Sequence, residues 1–590
     1  MRGAVVNRTW ASRASPLVAT LASYRREQLV GDLIAGLVVA VMLVPQAMAY
    51  AMLAGLPPQV GLYASIVPLL LYALFGTSNT LAVGPVAMVS LLVVSGVGRL
   101  APPGSAEFVS LCLLLALLVG VIQLVMALFR MGFLVNFISH PVLAGFTSAA
   151  ALVIGFSQVK HLIGISFEQS EYPIQVIANT VAGIGDSNLS TSLIGVASVG
   201  LLSACVLGLA PLLRRLGVGE AWATTISKLG PLVVVTAAAL LVAGGHLDGH
   251  RVAVVGEVPA GLPSLTLPPI DLDSIRALLP LALVITLVGY LESVSVAKAL
   301  ASRRREKVDA DRELFALGIA DIGAALSGGY PVTGGFSRSL VNFSAGARTP
   351  LASIFTAGLV ALSVAVLTPL FFHIPKAVLA AIIVVAVVRL IDFRTPVKLW
   401  RYSRSDAIAL SVTFLAVLGL GIETGIVVGV ASTVAMRMWN VSRPHVAEVG
   451  RVGDTEHFRN VKRHKVLSVP GVLAFRVDES LNDSNAPFLA SYLYEQIADR
   501  PEITRVLLIS SGINEIDATG IEVLETSRRD LASAGVELYL SDVKGPVMDR
   551  LKRSGMDPEF LERHVFLSAH RAMVAIEAER AAAAKGSTGR

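Results

Sequence analysis

Apolar stretches long enough to cross a membrane recur through the first 440 residues of this 590-residue chain. A membrane-spanning helix needs roughly 20 apolar residues, and on that measure the sequence predicts fourteen crossings. They lie near residues 29–50, 60–76, 81–98, 107–130, 137–160, 191–213, 229–247, 276–298, 312–329, 333–346, 350–370, 375–391, 405–420 and 423–438. The sequence therefore predicts an all-α polytopic membrane domain.

Charge divides the chain into two parts. Overall 54% of the residues are apolar and 15% are charged, but the last 150 residues alone hold 20 basic and 22 acidic side chains. The net charge of +6 therefore combines +8 in the first 440 residues with −2 in the remainder. Because the basic excess is spread over short loops between apolar segments, it indicates membrane topology rather than nucleic-acid binding.

The loop charges predict the orientation. With the N-terminus inside, turns after even-numbered segments hold fifteen Lys and Arg residues, whereas turns after odd-numbered segments hold five. Those five are Arg99, Lys160, Arg251, Arg276 and Lys376. This positive-inside bias predicts a multi-pass protein of the cell membrane with both termini in the cytoplasm. Residues 1–28 contain five Arg and no apolar run, so we expect no cleavable signal peptide.

The polar C-terminal part predicts a second, smaller domain of the α/β class. Its expected strands lie at 471–476, 505–510 and 537–541, with helices near 483–499, 518–534 and 545–555. The predicted domain boundaries are an N-terminal segment 1–28, a membrane domain 29–440, a linker 441–465, an α/β domain 466–571 and a flexible tail 572–590.

Metal and cysteine chemistry are not expected. Cys112 and Cys205 both lie in apolar runs, which excludes a disulfide framework and a Cys-based metal cluster and favours packing roles. The membrane-edge histidines are not spaced like metal ligands. They are His140, His161, His246, His250 and His373. We therefore expect no metal and no cofactor.

Two of the predicted segments are short and interrupted by Gly and Pro. Residues 77–86 and 327–336 stand about 250 positions apart, in corresponding places of two seven-segment halves. Paired interrupted segments indicate a secondary transporter whose substrate binds between discontinuous helices. Because seven is odd, the second half must be inverted relative to the first.

Several motifs resemble those of the SulP sulfate permease family. They cover residues 45–51, 55–58, 61–63, 84–90, 291–298 and 336–342. The region 466–571 is similar to a STAS domain. The resemblance implies a seven-plus-seven inverted repeat divided into core and gate domains, transporting anions as a homodimer. Among family members, the motifs look most like those of proton-coupled sulfate symporters.

The interrupted segments predict an anion site. Gly84-Pro85 and Gly334-Gly335 would open two half-helices whose free N–H groups and partial positive charge face an anion. Pro85 suits the first turn of such a helix. The alternative is that these Gly and Pro residues only ease helix packing. The candidate substrate-binding residues are Gln46, Tyr50, Val86, Ala87, Met88, Phe336, Ser337 and Arg338.

Arg338 would lie within the membrane, where an ionised side chain is costly and therefore indicates a functional role. A guanidinium fork fits tetrahedral oxyanions. Arg338 and Ser337 also match the position where the family and its animal relative prestin hold the anion. The alternatives are a structural ion pair or snorkelling to the interface. At Val86 prestin carries an aromatic residue, whereas this sequence resembles plant sulfate symporters, which favours a carrier over a motor.

Glu292 is predicted in the middle of the eighth segment. Burial disfavours its charged form while Arg338 favours it, so anion occupancy and protonation of Glu292 should be coupled. The resemblance implies the same, because proton-coupled family members carry Glu here. The alternatives are a permanent salt bridge to Arg338 or Lys298, and a sodium site formed with Ser295 or Ser337.

The remaining polar residues allow structural or regulatory interpretations. Gln46 and Tyr50, spaced i, i+4, could face the anion or bond neighbouring helices. Asp321 could form an ion pair that belongs to a gate, or it could cap a helix. Thr519 matches the position phosphorylated in bacterial STAS relatives, but Asp517 beside it could simply cap the helix.

Asp32 and Glu423, at the starts of the first and last segments, are interpreted as structural.

Three functions remain after these observations. The first is proton-coupled sulfate uptake by alternating access, with the STAS domain regulatory and an unknown cytoplasmic partner. The second is sodium-coupled bicarbonate or dicarboxylate transport, which the same scaffold could host. The third, of a different class, is a membrane-tethered anion sensor that signals through STAS. An enzyme is not expected because no nucleophile, base and orienting partner fall together.

Overall fold

The computed structural model describes residues 24–136, 139–165, 173–220, 229–247 and 252–587, together with single residues at 17, 20, 21, 223, 226 and 227. Most of the predicted segment 1–28 lies outside these residues, as do Lys228, His250 and Arg251. The chain forms two compact units, Met1–Thr433 and Val434–Arg590.

The first unit is helical. Its helices are α1 Arg26–Leu53, α2 Pro58–Tyr63, α3 Val67–Phe75, α4 Ala87–Val97, α5 Ala106–Leu128, α6 His140–Ile163, α7 Pro173–Ala182, α8 Leu189–Ala204, α9 Ala210–Arg215, α10 Gly230–Gly244, α11 Leu272–Arg304, α12 Ala310–Leu326, α13 Phe336–Ser344, α14 Leu351–Val366, α15 Lys376–Val388, α16 Arg394–Tyr402 and α17 Arg404–Leu420. The next helix, α18 Ile422–Ser442, begins in the first unit and ends in the second. Two short strands, β1 Val83–Gly84 and β2 Thr333–Gly334, precede α4 and α13.

Every predicted crossing overlaps a helix, although not every helix is long. Six helical stretches in the described part of the chain are long and apolar enough to cross a membrane by themselves. The helices α4 and α13 have only 11 and 9 residues, as expected for interrupted segments. The count of fourteen crossings stays a prediction. Helices α7 and α16 lie between the predicted segments and were not predicted from the sequence.

The helices pack as two bundles. In one bundle, α5 packs along α12, and α1 packs against α13 and α14. In the other, α6 packs against α15 and α17, and α8 packs against α15. The two halves make equivalent contacts. Helix α1, the first of the first half, packs on α13 and α14 of the second half, and α11, the first of the second half, packs on α4 and α5 of the first half. This two-fold pattern is the one that an inverted repeat requires.

Close backbone contact joins α5 and α12. A Cβ atom added to Gly120 would lie 2.7 Å from the carbonyl oxygen of Gly318, and one added to Gly318 would lie 2.9 Å from that of Gly120. Small residues allow membrane helices to approach closely enough for extensive van der Waals packing. This contact brings the fourth and ninth predicted segments into close packing.

The second unit has α/β architecture. Its elements are β3 Val446–Arg451, β4 Phe458–Asn460, β5 Val472–Val477, α19 Ala486–Asp499, β6 Arg505–Ile509, α20 Ala518–Ser533, β7 Glu537–Ser541, α21 Gly545–Arg553, α22 Pro558–Arg563, β8 Val565–Phe566 and α23 Ala569–Ser587. The sheet order is β4-β3-β5-β6-β7-β8. Strands β5 to β8 are parallel, and β3 is antiparallel to both of its neighbours. The three predicted strands and helices are present.

Two segments differ from the sequence expectation. The predicted linker 441–465 contains β3 and β4, and Val446 of β3 lies opposite Val477 of β5. Gly450 and Arg451 break the alternation of buried and less buried residues in β3, so the strand is hard to predict from its sequence pattern. The predicted tail 572–590 is helical to Ser587, because Met573 and Ile576 pack into an apolar cluster with residues of the sheet.

Candidate functional site

Two short strands bring the interrupted segments together. Val83 lies opposite Gly334, and Gly84 lies opposite Thr333, in an antiparallel pair. Because a half-helix begins within three residues of each strand, the N-termini of α4 and α13 meet at the same place from opposite directions. The pairing expected from sequence spacing is therefore a direct backbone contact.

Buried side chains fix this crossing. The Ser293 hydroxyl oxygen accepts a hydrogen bond from the Gly334 N–H at 2.8 Å, and the Ser339 hydroxyl oxygen accepts one from the Ala82 N–H at 3.0 Å. The Asn342 side-chain amide donates to the Thr80 carbonyl at 3.1 Å. Asp321 is fully buried and accepts from the Val332 N–H at 2.7 Å. Asp321 is therefore an anchor for the strand, a role that sequence analysis did not distinguish from a gate pair or a cap.

The two half-helices begin without side-chain caps. Val86 precedes α4 and Gly335 precedes α13, and neither helix has a side-chain hydrogen bond at its cap. Uncapped N–H groups and the helix dipole favour an anion at such ends. The prediction for Pro85 was wrong: Pro85 lies outside the first helical turn, and its carbonyl instead accepts a hydrogen bond from Arg338.

Arg338 occupies the meeting point of the two halves. Only 3% of its surface is exposed, and its Nη2 donates to the Pro85 carbonyl at 3.0 Å. Its Nε and Nη1 have no hydrogen-bond partner among the described residues. Burial excludes snorkelling, and within the described chain no acidic side chain forms an ion pair with this guanidinium. Two buried N–H-bearing nitrogens thus stand available to an oxyanion.

Glycine makes room for the guanidinium. A Cβ atom on Gly335 would lie 2.9 Å from Nη2 of Arg338, and one on Gly84 would lie 3.2 Å from Nη1. Gly84 also has φ +155°, a conformation that side chains disfavour. A larger residue at either position would therefore have to displace the guanidinium of Arg338, which adds a second reason for glycine to the helix-end argument made from sequence.

Glu292 lies close to this centre without pairing to it. The carboxyl is on α11 and near enough to Arg338 for electrostatic interaction. Within the described residues no ion pair of 4.0 Å or less joins Glu292 to Arg338 or Lys298, and its Oε2 has no hydrogen-bond partner. The permanent salt bridge considered from sequence is therefore absent from this structure. Glu292 lines a cavity of about 590 Å³ together with Met88, Phe336 and Ser295.

A neighbouring cavity contains other predicted residues. It measures about 550 Å³, and Gln46, Phe336 and Ser337 line it. Tyr50 is 8% exposed and lies within electrostatic range of both Arg338 and Glu292. The predicted site residues thus lie in three places: around Arg338 and along each of the two cavities.

The residues at the start of α4 contribute unequally. Val86 and Ala87 are buried at the N-terminus of α4 and line neither of the two cavities. Met88, one residue further, lines the cavity of Glu292.

Two contributing residues were not predicted from the sequence. Ser293 lies in the motif beside Glu292, but only the fold reveals its hydrogen bond to the crossing. Arg389 lines both cavities, and in the sequence it counted only as a loop charge. The available signal for Arg389 was that a basic residue directly follows an apolar segment. The positive-inside rule alone explains a basic residue at such a position, so the signal did not indicate a site.

Asp32 and Glu423 are held by partners that are distant in sequence. Asp32 is fully buried and accepts from the Arg348 N–H at 2.7 Å and the Thr349 hydroxyl at 2.6 Å. Glu423 pairs with Arg99 at 3.4 Å. These contacts agree with the structural roles inferred for Asp32 and Glu423.

In the second unit, Thr519 is the second residue of α20 and is half-buried. Asp517 caps this helix by accepting from the Gly520 N–H at 2.7 Å, and it also accepts from the Asp483 N–H at 2.9 Å. The capping role considered from sequence is therefore present. Phosphorylation of Thr519 stays a prediction.

An uncapped pair of half-helices around a buried guanidinium is the centre of a membrane anion carrier, and family comparison agrees. The family model described as the sulfate permease family matches residues 29–413, and the STAS domain model matches residues 465–572. The chain belongs to the sulfate permease family, which confirms the resemblance read from the motifs.

Individual relatives support this assignment. Sulfate transporter 4.1, chloroplastic, of Arabidopsis thaliana is 36% identical over 559 residues, covering 93% of this chain and 80% of the plant protein. Probable sulfate transporter Rv1739c of Mycobacterium tuberculosis is 34% identical over 558 residues, covering 94% of this chain and 96% of the other.

Solved structures share the fold. The structure of SLC26A9 superposes with a TM-score of 0.87 at 23% identity, covering 96% of this chain and 93% of that one. The transmembrane domain of the cyanobacterial bicarbonate transporter BicA superposes with a TM-score of 0.56 at 22% identity, covering 70% of this chain and 98% of that one. The predicted fold class, a helical transporter domain followed by a STAS domain, is confirmed.

Replacing Gly335 tests the packing around the guanidinium. In Gly335→Ala the new methyl group displaces Arg338, so we expect sulfate affinity to fall roughly tenfold, as misplaced binding groups do. Binding of radiolabelled sulfate to the purified protein measures this. The matched control is Gly358→Ala, whose Cβ would meet nothing within 4 Å. Equal affinities of both variants and the wild type would contradict the role of Gly335.

Proposed function

We propose that the chain imports sulfate together with protons by alternating access. The observation that carries the proposal is the buried Arg338 guanidinium, which has two nitrogens without partners among the described residues at the uncapped ends of α4 and α13. A buried charge without a counter-charge is costly. A divalent tetrahedral oxyanion supplies that charge and fits the guanidinium fork. The names of the relatives favour sulfate among such anions.

Glu292 supplies the coupling in this proposal. An ionised Glu292 repels sulfate and competes with it for Arg338, whereas a protonated Glu292 leaves Arg338 to the anion. Sulfate then binds best when Glu292 carries a proton, and the two cross together. The absence of an ion pair from Glu292 to Arg338 or Lys298 in the described residues supports a carboxyl that changes protonation state.

Membrane potential limits what one proton achieves. Importing a dianion against about 100 mV, negative inside, costs roughly 4.6 kcal/mol, which one proton halves and two abolish. Glu292 accounts for one proton. Uptake with one proton per sulfate therefore remains opposed by the membrane potential.

Sodium coupling is the second candidate. Ser295 and Glu292 line one cavity, so a carboxylate and a hydroxyl oxygen are both available to a hard cation there. Bicarbonate or a dicarboxylate would then be the cotransported anion. A divalent oxyanion matches Arg338 better than bicarbonate does, so we favour proton-coupled sulfate transport over this second candidate. A protein that binds anions without turnover would instead be a sensor.

The membrane location, the topology and the oligomeric state are inferred from the loop charges and from the family resemblance. We infer that the protein lies in the cell membrane with both termini in the cytoplasm, following the excess of basic residues in one set of loops. Homodimerisation follows from the family resemblance. In this proposal the STAS unit binds a cytoplasmic partner and regulates transport.

Proteoliposome uptake of radiolabelled sulfate tests the coupling. We expect an inward proton gradient to drive wild-type uptake, and Glu292→Gln to retain uptake but lose its dependence on the gradient. Arg338→Ala should lower uptake about 100-fold, because truncating one partner of a buried charge contact costs several kcal/mol. Glu107→Gln, which changes an exposed carboxyl at the start of α5, is the matched control and should behave as wild type.

Other outcomes discriminate between the candidates. Uptake that follows sodium instead of protons would favour the second candidate. Saturable binding without uptake under any gradient would favour the sensor and contradict transport.

Phosphorylation of Thr519 tests regulation through the STAS unit. A phosphate on this residue would add negative charge beside Asp517 at the start of α20. We expect mass spectrometry of protein from its native host to find a phosphorylated peptide that Thr519→Ala eliminates completely. Thr526→Ala, an exposed hydroxyl in the same helix, should leave it unchanged. Phosphate that persists in Thr519→Ala, or none in the wild type, would refute this site.

A further inference from the structure

A short amphipathic helix lies between the twelfth and thirteenth predicted segments. This helix, α16, has nine residues and joins α15 to α17. Residues 389–404 contribute five of the fifteen basic side chains that the sequence assigns to the cytoplasmic side, namely Arg389, Arg394, Lys398, Arg401 and Arg404. In the proposed orientation, α16 therefore lies on the inner side of the membrane.

One side chain attaches α16 to its neighbour. Leu399 is buried and packs with Ala407 and Leu410 of α17. The other residues of α16 are exposed or half-buried. The described chain therefore covers one side of this helix and leaves its other sides exposed.

The exposed part of α16 includes a basic face. At about 100° per residue, Arg394, Lys398 and Arg401 lie within a sector of roughly 60° around the helix axis. All three side chains are exposed, and within the described residues none of them forms an ion pair of 4.0 Å or less with an acidic side chain. Three positive charges thus point in one direction without a counter-charge from the described chain.

The two acidic side chains of this turn bind other groups. Asp392 accepts hydrogen bonds from the backbone N–H groups of Arg394 at 2.9 Å and Thr395 at 3.0 Å. Asp406 accepts one from the Ser403 hydroxyl at 2.8 Å. The basic face is therefore not neutralised by carboxylates of its own turn.

An apolar stripe lies directly beside the basic face. Val397 and Trp400 are separated by about 60° around the helix axis, and they are 58% and 60% exposed. Tyr402, at the end of the helix, is also exposed. Trp and Tyr side chains are enriched where lipid headgroups meet acyl chains. A basic face beside such a stripe is typical of helices that lie in the plane of a membrane surface.

The arrangement favours a lipid over other partners. The positive-inside rule explains basic residues in this turn, but not their position on one face of a helix beside an exposed Trp. An acidic protein surface would match the charges of Arg394, Lys398 and Arg401 but not the apolar stripe. An anionic lipid matches both, since its phosphate is negative and its acyl chains are apolar.

We propose that α16 binds the phosphate headgroup of an anionic lipid in the cytoplasmic leaflet through Arg394, Lys398 and Arg401, with Val397 and Trp400 against the acyl chains. The leaflet rests on the proposed orientation, whereas the binding itself does not depend on sulfate transport. Helices α15 and α17 both pack on α6 in one bundle. The bound lipid therefore holds the inner end of that bundle at the membrane surface.

Fluorescence of Trp400 tests the site directly. The full chain, with Trp10, Trp222 and Trp439 replaced by Phe, is reconstituted into phosphatidylcholine vesicles that contain increasing fractions of an acyl-brominated lipid, which quenches Trp on contact. We expect brominated phosphatidylglycerol to occupy the site at least about fivefold more strongly than brominated phosphatidylcholine, because basic side chains at the surface attract anionic headgroups. The preference should weaken at high ionic strength.

Two matched variants locate the charges responsible. In Lys398→Gln/Arg401→Gln we expect the preference for the anionic lipid to fall to less than about twofold. Arg303→Gln/Lys307→Gln removes two exposed charges on the same proposed side of the membrane but outside α16, and it should keep the full preference. Equal quenching by the two lipids before these changes, or a preference that Lys398→Gln/Arg401→Gln leaves intact, would overturn the proposal.

The remaining outcomes separate the lipid site from the proposed transport. Quenching by neither lipid would show that protein covers Trp400, and it would also overturn the site. A preference for the anionic lipid in a protein that takes up no sulfate under any gradient would uphold the site while refuting transport. Proton-driven sulfate uptake together with equal quenching would refute the site and leave transport intact.

Discussion

The burial of one guanidinium governs the structure of the membrane unit. Arg338 is 3% exposed and makes one hydrogen bond within the described residues, to the carbonyl of Pro85. An ionised side chain at this depth is stabilised only by polar groups brought to it. The β1–β2 pair brings the two uncapped half-helices together, and the positive ends of their dipoles add to the charge of Arg338, so that the bound anion is the group that stabilises this centre. The inverted repeat is therefore the framework that brings both half-helix ends to one point.

The surrounding packing follows from this requirement. Gly335 and Gly84 leave room for the guanidinium, while Ser293 and Ser339 satisfy backbone N–H groups that the crossing would otherwise bury without partners. Glu292 stands near Arg338 without an ion pair to it in the described part of the chain. In our account the same centre therefore serves binding and coupling, since the anion and the proton on Glu292 each alter the electrostatic free energy of the other.

Much of this could be predicted from the sequence, because the strongest signals were local. Apolar length predicted the helices, and the paired Gly/Pro interruptions predicted the crossing near Gly84 and Gly334. The part that required the fold depends on contacts between distant residues: the carbonyl of Pro85 bonded to Arg338, and the anchor role of Asp321. Strand β3 was missed because Gly450 and Arg451 weaken its pattern, and it is stabilised by pairing with β5; strand β4 was missed because it has only three residues, and it pairs with β3.

The central claim is that sulfate occupancy and protonation of Glu292 are linked. Its most direct test is the proton uptake that accompanies sulfate binding to the purified protein in weakly buffered solution, followed with a pH indicator. Near the pH at which Glu292 is ionised in the free protein, the account predicts uptake of about one proton per bound sulfate, absent in Glu292→Gln. Saturable sulfate binding without any change in pH across the range from pH 5 to 8 would contradict it.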